Sequence, residues 1–134
     1  MRAIALSLAA AALVAGAAVV SAKPRMSPEA RLDKMLEGRE AGTPRSCMPT
    51  SGAARLEILD GVALVYRAGG TVWVNRPRNP ESLDDDDILV TYPTGSQLCR
   101  MDRVHTVDRT SQFWTGFVQL GDFVPYRRAQ TASR

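Results

Sequence analysis

The sequence predicts a mainly β (α+β) fold: a small antiparallel barrel or sandwich of six to seven short strands with one N-terminal helix. Two observations carry this. Between residues 56 and 126, short apolar runs alternate with Gly, Pro, Asn and Asp punctuation, the pattern of short antiparallel strands joined by turns. One segment, 28–37, instead spaces its apolar residues as a helix does.

Residues 1–22 come first and read as a secretory signal peptide. Arg2 supplies a charged start. Ala3 to Val20 is an apolar run broken only by Ser7 and Gly16, and Val20-Ser21-Ala22 offers the small residues a signal peptidase requires. Cleavage is expected between Ala22 and Lys23, which makes the mature chain periplasmic or secreted. The alternative is an uncleaved leader that anchors the domain to the inner membrane. The run approaches the ~17–25 residues of a spanning helix, but its alanine content makes it a poor anchor. No cysteine precedes Cys47, so a lipid anchor has no attachment point. Removing 22 of the 134 residues leaves 112, the size of one domain.

Within that domain, residues 23–55 read as a helix and loop lead-in, 56–126 as the β-rich body and 127–134 as a polar, disordered tail. Ser27 suits a helix cap, Pro28 the first helical position, and Glu29 the positive end of the helix dipole. Leu32, Met35 and Leu36 fall on one face, with Arg31, Asp33, Lys34 and Glu37 on the other, and Gly38 terminates the run. Residues 39–55 show no period and are punctuated by Gly42, Pro44, Pro49 and Gly52, with Cys47 in their midst.

Cys47 and Cys99 are an even pair in an exported chain, which reads as one disulfide. There is no Cys-x-x-Cys for redox chemistry, and two cysteines with one histidine fall short of a zinc set. Closing a loop of 53 residues (47 to 99 inclusive) stabilises by about 4 kcal/mol in the chain-entropy picture.

The body opens with a meander. Leu56–Leu59 leads to the turn signal Asp60-Gly61; Val62–Arg67 follows, then Ala68-Gly69-Gly70, then Thr71–Asn75. Val62 to Tyr66 is apolar on both faces, which suits a strand covered on both sides. Arg76 to Asp87 reads as a loop. Further strands are expected at 88–92, 96–100, 103–108, 117–120 and 123–126.

Four stretches resemble a group of small exported proteins of Gram-negative bacteria that carry no established activity. They are RLDKMLEGREAGTPRSC (31–47), DGVALVYRAGGTVWVNRPR (60–78), SLDDDDILVTYPTGSQLC (82–99) and GFVQLGDFVPY (116–126). The resemblance implies a short helix, a β-rich body and a cysteine pair, and transfers no catalytic residue.

Charge excludes one class of partner. The formal charge of +3 falls to +2 once Arg2 is removed, and the basic residues are interleaved with acids along the chain without a stripe. No nucleic-acid partner is expected. Three constellations could carry chemistry. Asp84, Asp85, Asp86 and Asp87 could hold a hard cation, although an EF-hand loop from Asp84 fails at Leu89 and Gly95; the plainer reading is a solvated loop that guards the next strand edge. His105, the sole histidine, could pair with Asp102 or Asp108 and Ser111 in a small hydrolase. On a strand, however, it shares a face with neither acid, and Asp102-Arg103 and Asp108-Arg109 look like cross-strand ion pairs. No nucleophile-elbow, zinc-protease or phosphate-loop motif is present. Phe113 and Trp114, before Gly116, are the candidates for an exposed partner contact, while Trp73 and Tyr66 are expected in the core.

The expectation is therefore a non-enzymatic exported envelope or periplasmic module, binding or structural, with no cofactor. Its partner would be an envelope protein or ligand, with the membrane involved only if the leader is retained. The alternatives are a Ca²⁺ module on Asp84–Asp87 and a hydrolase on His105. An exposed aromatic patch without a deep acidic pocket favours the first.

Overall fold

Among the described residues the chain forms three antiparallel sheets and one α-helix. The computed structural model describes residues 24–51, 55–93 and 95–130; the leader, its expected cleavage point at Ala22–Lys23, and residues 131–134 of the expected tail lie outside the described residues. Helix α1 (Pro28–Leu36) starts where the sequence places it. The Ser27 hydroxyl accepts a hydrogen bond from the Ala30 amide at 3.2 Å, and Gly38, at φ 68°, turns the chain out of the helix.

The strands follow in chain order as β1 (Arg39–Ala41), β2 (Cys47–Pro49), β3 (Arg55–Leu59), β4 (Ala63–Ala68), β5 (Thr71–Asn75), β6 (Asp87–Thr91), β7 (Gln97–Cys99), β8 (Val104–Asp108), β9 (Trp114–Val118) and β10 (Phe123–Arg128). One sheet runs β1-β10-β5-β4-β3, a second pairs β2 with β7, and a third runs β6-β8-β9. The sheets do not close into a barrel; they stack as a sandwich with α1 outside.

Alternation along the central strands dictates the layers. Ala63, Val65, Val72 and Val74 face α1 and bury Leu32. Their neighbours Leu64, Tyr66 and Trp73 face the other way. There they meet Phe123, Met48 and Leu98 of the two-stranded sheet, and Val104 and Val118 of the three-stranded sheet. The strand that read as apolar on both faces is thus covered on both. Each fully buried side chain of this size contributes about 1.5–3 kcal/mol of transfer energy. Both clusters are built from residues between Leu32 and Tyr126.

Cys47 and Cys99 sit directly opposite each other in the β2–β7 pair and are joined by a disulfide. Such a bond belongs to an oxidising compartment. Among the described residues, no helix is long and apolar enough to cross a membrane.

Four local expectations are corrected. The segment 39–55 is not all loop: β1 pairs with β10 and β2 with β7, but three-residue strands are too short to show a period. Among the described residues there are ten strands where six to seven are expected. The Asp60-Gly61 turn has three residues, because Leu59 pairs with Ala63 and leaves Val62 in the loop. The expected strand at 117–120 begins at Trp114 and ends at Val118; Gly116 lies inside it opposite Thr106, beside a bulge, instead of breaking the chain. The tail does not begin at Arg127. Strand β10 continues through Arg128, pairing Arg127 with Glu40 and Arg128 with Arg39.

The three-stranded sheet is tied to the large one by a buried amide. Asn75 is fully buried at the end of β5. Its side chain donates to the Gly121 carbonyl at 2.8 Å and accepts from the Gly121 amide at 3.0 Å. A Cβ at position 121 would stand 2.3 Å from the Arg76 carbonyl oxygen, so only glycine passes there. This crossing fixes the link from β9 to β10.

Candidate functional site

The three-stranded sheet has two apolar faces, and among the described residues one of them is left uncovered. Register assigns the side chains. Val104 opposite Val118 and Thr106 opposite Leu89 and Gly116 point inward, where Val104, Val118 and Thr106 are buried. The alternate set points outward: Ile88 beside Val107 and Trp114, and Val90 beside His105 and Phe117. Tyr92, just past β6, joins them. An antiparallel sheet with one face in water ordinarily alternates apolar with polar residues. Here the water-facing set is aliphatic and aromatic. Trp114 is 59 % exposed, Tyr92 57 % and Phe117 56 %; Phe113, at the β8–β9 turn, reaches 74 %.

The aromatic rings order one another. The His105 ring meets Trp114 edge to face, centroids 4.5 Å apart and planes at 84°, and meets Tyr92 at 6.0 Å and 82°. Edge-to-face pairs of this kind contribute about 0.5–1.5 kcal/mol beyond their buried area. The platform is therefore held in place while its faces remain open to solvent. At one end it runs into a cleft of about 500 Å³ between Arg78, Met101, Arg103, His105 and Phe117. Arg100 at its rim is neutralised by Asp122 at 2.9 Å. Among the described residues, Arg78 and Arg103 make no ion pair. Asp102 also lines the cleft, with a carboxylate oxygen engaged by the Cys99 amide at 2.7 Å. The cleft thus joins an aromatic wall to two arginines that outnumber this one acid.

Of the expected contact pair, Trp114 is on this face and Phe113 stands exposed at its edge, in the β8–β9 turn. Sequence reasoning missed the rest of it. The sequence reads Phe117 only as the start of a strand at 117–120, Tyr92 as a strand end and His105 as a candidate catalyst. The available signal was in 88–92 and 104–107, where both alternating sets contain apolar residues although a domain of this size already has its core in the meander.

The acidic run divides. Asp84 and Asp85 come together with Asp60, a partner no local reading supplies, with a carboxylate oxygen from each within 4.8 Å of the others and all three exposed. These groups already serve the chain: Asp60 accepts from the Asp85 amide at 2.8 Å, Asp84 accepts from the Asp86 amide at 2.9 Å, and Asp85 lies 4.0 Å from Arg31. Asp86 is not part of the group, and Asp87 is buried in β6, accepting from the Thr115 hydroxyl at 2.8 Å. The four aspartates do not form one constellation.

Nor do the acids beside His105 reach it. Asp102 accepts from the Cys99 amide at 2.7 Å, and Asp108 accepts from the amides of Thr110 and Ser111. Those bonds to Ser111, followed by that to Thr110, hold the Asp108 carboxyl below the usual carboxylate range. The expected cross-strand ion pairs are therefore turn caps: Arg109 instead donates to the Asp86 carbonyl, and Arg103 lines the cleft. Without an acid to orient it, His105 lacks the relay a hydrolase requires.

No protein-family model, curated protein or solved structure matches the chain.

Proposed function

We propose that the chain is a non-enzymatic module exported to the periplasm or beyond, and that it binds an envelope partner through the outer face of the three-stranded sheet. One observation carries the reading: Ile88, Val90, Tyr92, His105, Val107, Trp114 and Phe117 form a continuous face that, among the described residues, no other element covers. Contiguous exposed apolar surface marks interaction sites in soluble domains, and aromatic anchors supply most of the energy at such sites. The signal-peptide pattern of residues 1–22, the likeness to small exported proteins and the disulfide support export. The Arg78–Arg103 cleft at the end of the platform favours a partner that presents negative charge beside an apolar surface.

A photo-crosslinking amino acid at Phe113 and, separately, at Asp33 on the exposed side of α1 tests this in the producing cell. The reading predicts a discrete adduct from position 113 and none from 33, lost on Trp114→Ala. Equal adducts from both faces, or none from 113, would end it.

A further inference from the structure

We infer that the opposite side of the molecule is a docking surface for an anionic membrane. Register brings together basic residues that are far apart in sequence. Arg128 of β10 lies directly across from Arg39 of β1, and Arg67 of β4 directly across from Arg55 of β3. Val72 pairs with both Arg67 and Tyr126, and it faces α1. Arg67, Arg128 and Arg39 therefore share the helix side of the five-stranded sheet, where Lys34 from α1 joins them. Together they line a groove of about 740 Å³ whose single acid is Glu37. Arg31, also there, is spent on Glu57 at 2.7 Å. Among the described residues, Lys34, Arg39, Arg67 and Arg128 make no ion pair. Five basic residues that lie apart in the sequence, Arg31, Lys34, Arg39, Arg67 and Arg128, are thus gathered in one groove by the fold.

Two like charges directly opposite in a sheet destabilise it. Two such pairs at one end of one face is a charge arrangement that an external anion relieves. Three features select a bilayer surface as that anion. The groove has no aromatic side chain on which a base could stack, which single-stranded nucleic acid uses. Met26, 48 % exposed, and Met35 provide apolar contact between the cations. Finally, Met26 follows the apolar leader run by six residues, a reach of at most ~20 Å. A leader still attached would hold this side near the membrane. Once the leader is cleaved, the same charges retain the contact, at roughly fivefold in affinity per basic residue near an anionic surface.

The test floats the chain from Lys23 onward with vesicles of phosphatidylglycerol mixed into phosphatidylcholine, and with phosphatidylcholine alone. Binding to the anionic vesicles only is expected, with release at about 1 M salt, where the screening length falls to ~3 Å. Arg67→Ser with Arg128→Ser should lose about 25-fold, Arg67→Lys with Arg128→Lys should bind as the parent does, and Trp114→Ala should be unaffected. Circular dichroism of each variant separates lost charge from lost fold. Equal binding to both vesicles, binding to neither, loss in the Lys variant, or tighter binding to a single-stranded oligonucleotide would each overturn the inference.

Discussion

The chain has two tryptophans, and the structure assigns them opposite duties. Trp73 is 3 % exposed between the sheets, and Trp114 is 59 % exposed on the outer face. Truncating each to Ala measures the difference. A tryptophan can bury up to ~250 Å², so near-complete burial of Trp73 corresponds to ~6 kcal/mol at ~25 cal/mol per Å², an upper bound. Truncations of this kind cost about 3–5 kcal/mol in practice. The covered two-fifths of Trp114 is worth ~2.5 kcal/mol on the same upper scale. Part of that is recovered when His105 and Val107 relax into solvent, leaving an expected cost of about 1–2 kcal/mol for Trp114→Ala. Urea unfolding followed by far-UV circular dichroism gives both numbers, and each variant leaves the other indole as the sole fluorescent reporter. In the folded state the emission of Trp73→Ala should be red-shifted relative to that of Trp114→Ala. A cost for Trp114→Ala equal to that of Trp73→Ala would mean the outer face is packed, and the binding-face reasoning would fail.

Removing the cross-link with Cys47→Ala and Cys99→Ala together should lower stability by up to about 4 kcal/mol, read as a fall in melting temperature that reducing agent reproduces in the parent and does not add to in the variant. Gly121→Ala drives a methyl against the Arg76 carbonyl and spreads the Asn75 clamp; a loss of about 3 kcal/mol in urea unfolding is expected, against a negligible loss for Gly70→Ala, whose Cβ meets nothing. Asp108 is held below its ordinary value of 3.8 in the folded chain, so its contribution is present above the unfolded value and is lost as pH falls through the folded one. The stability gap between parent and Asp108→Asn should hold steady above about pH 5 and close as pH falls below ~4; a gap that widens on acidification would refute the assignment.

Local chemistry made much of the fold legible and long-range register made little of it so. Ser27, Pro28 and Gly38 define α1 because caps and terminators act within one turn. Gly69-Gly70 defines a two-residue hairpin for the same reason, at φ 58°. The disulfide followed from counting cysteines in an exported chain. What escaped depends on partners distant in sequence. β1 is three residues long and exists because β10 runs past it. Asp60 meets Asp84 and Asp85 across 23 and 24 intervening residues respectively. The basic groove draws on Lys34, Arg39, Arg67 and Arg128, each unremarkable among its own neighbours. The aromatic face was half legible: Phe113 and Trp114 looked exposed beside Gly116, but nothing local distinguishes Phe117 from a core residue. Its direction is decided by the bulge between Thr106 and Val107.

The two surfaces share a physical logic. The five-stranded sheet separates them, with α1 and the basic groove on one side and the three-stranded sheet on the other. A contact made through the groove leaves the aromatic face pointing away from whatever the groove rests on. The outer face is also a liability. It is apolar, and β6 and β9 are both edge strands, the combination that invites edge-to-edge aggregation. The chain limits that hazard at the strand ends, with Asp84, Asp85 and Asp86 before β6, Pro93 after it, and the Asp108-capped turn before β9. The fold does not need the exposed rings, because the sheet is fastened to the core from its inner side by Leu89, Val104 and Val118. Thr or Lys at Trp114 and Phe117 would suit a solvated strand better. Bulky aromatics that cost solubility and contribute little to folding, on a sheet whose edges are otherwise guarded, are explained by a partner that covers them.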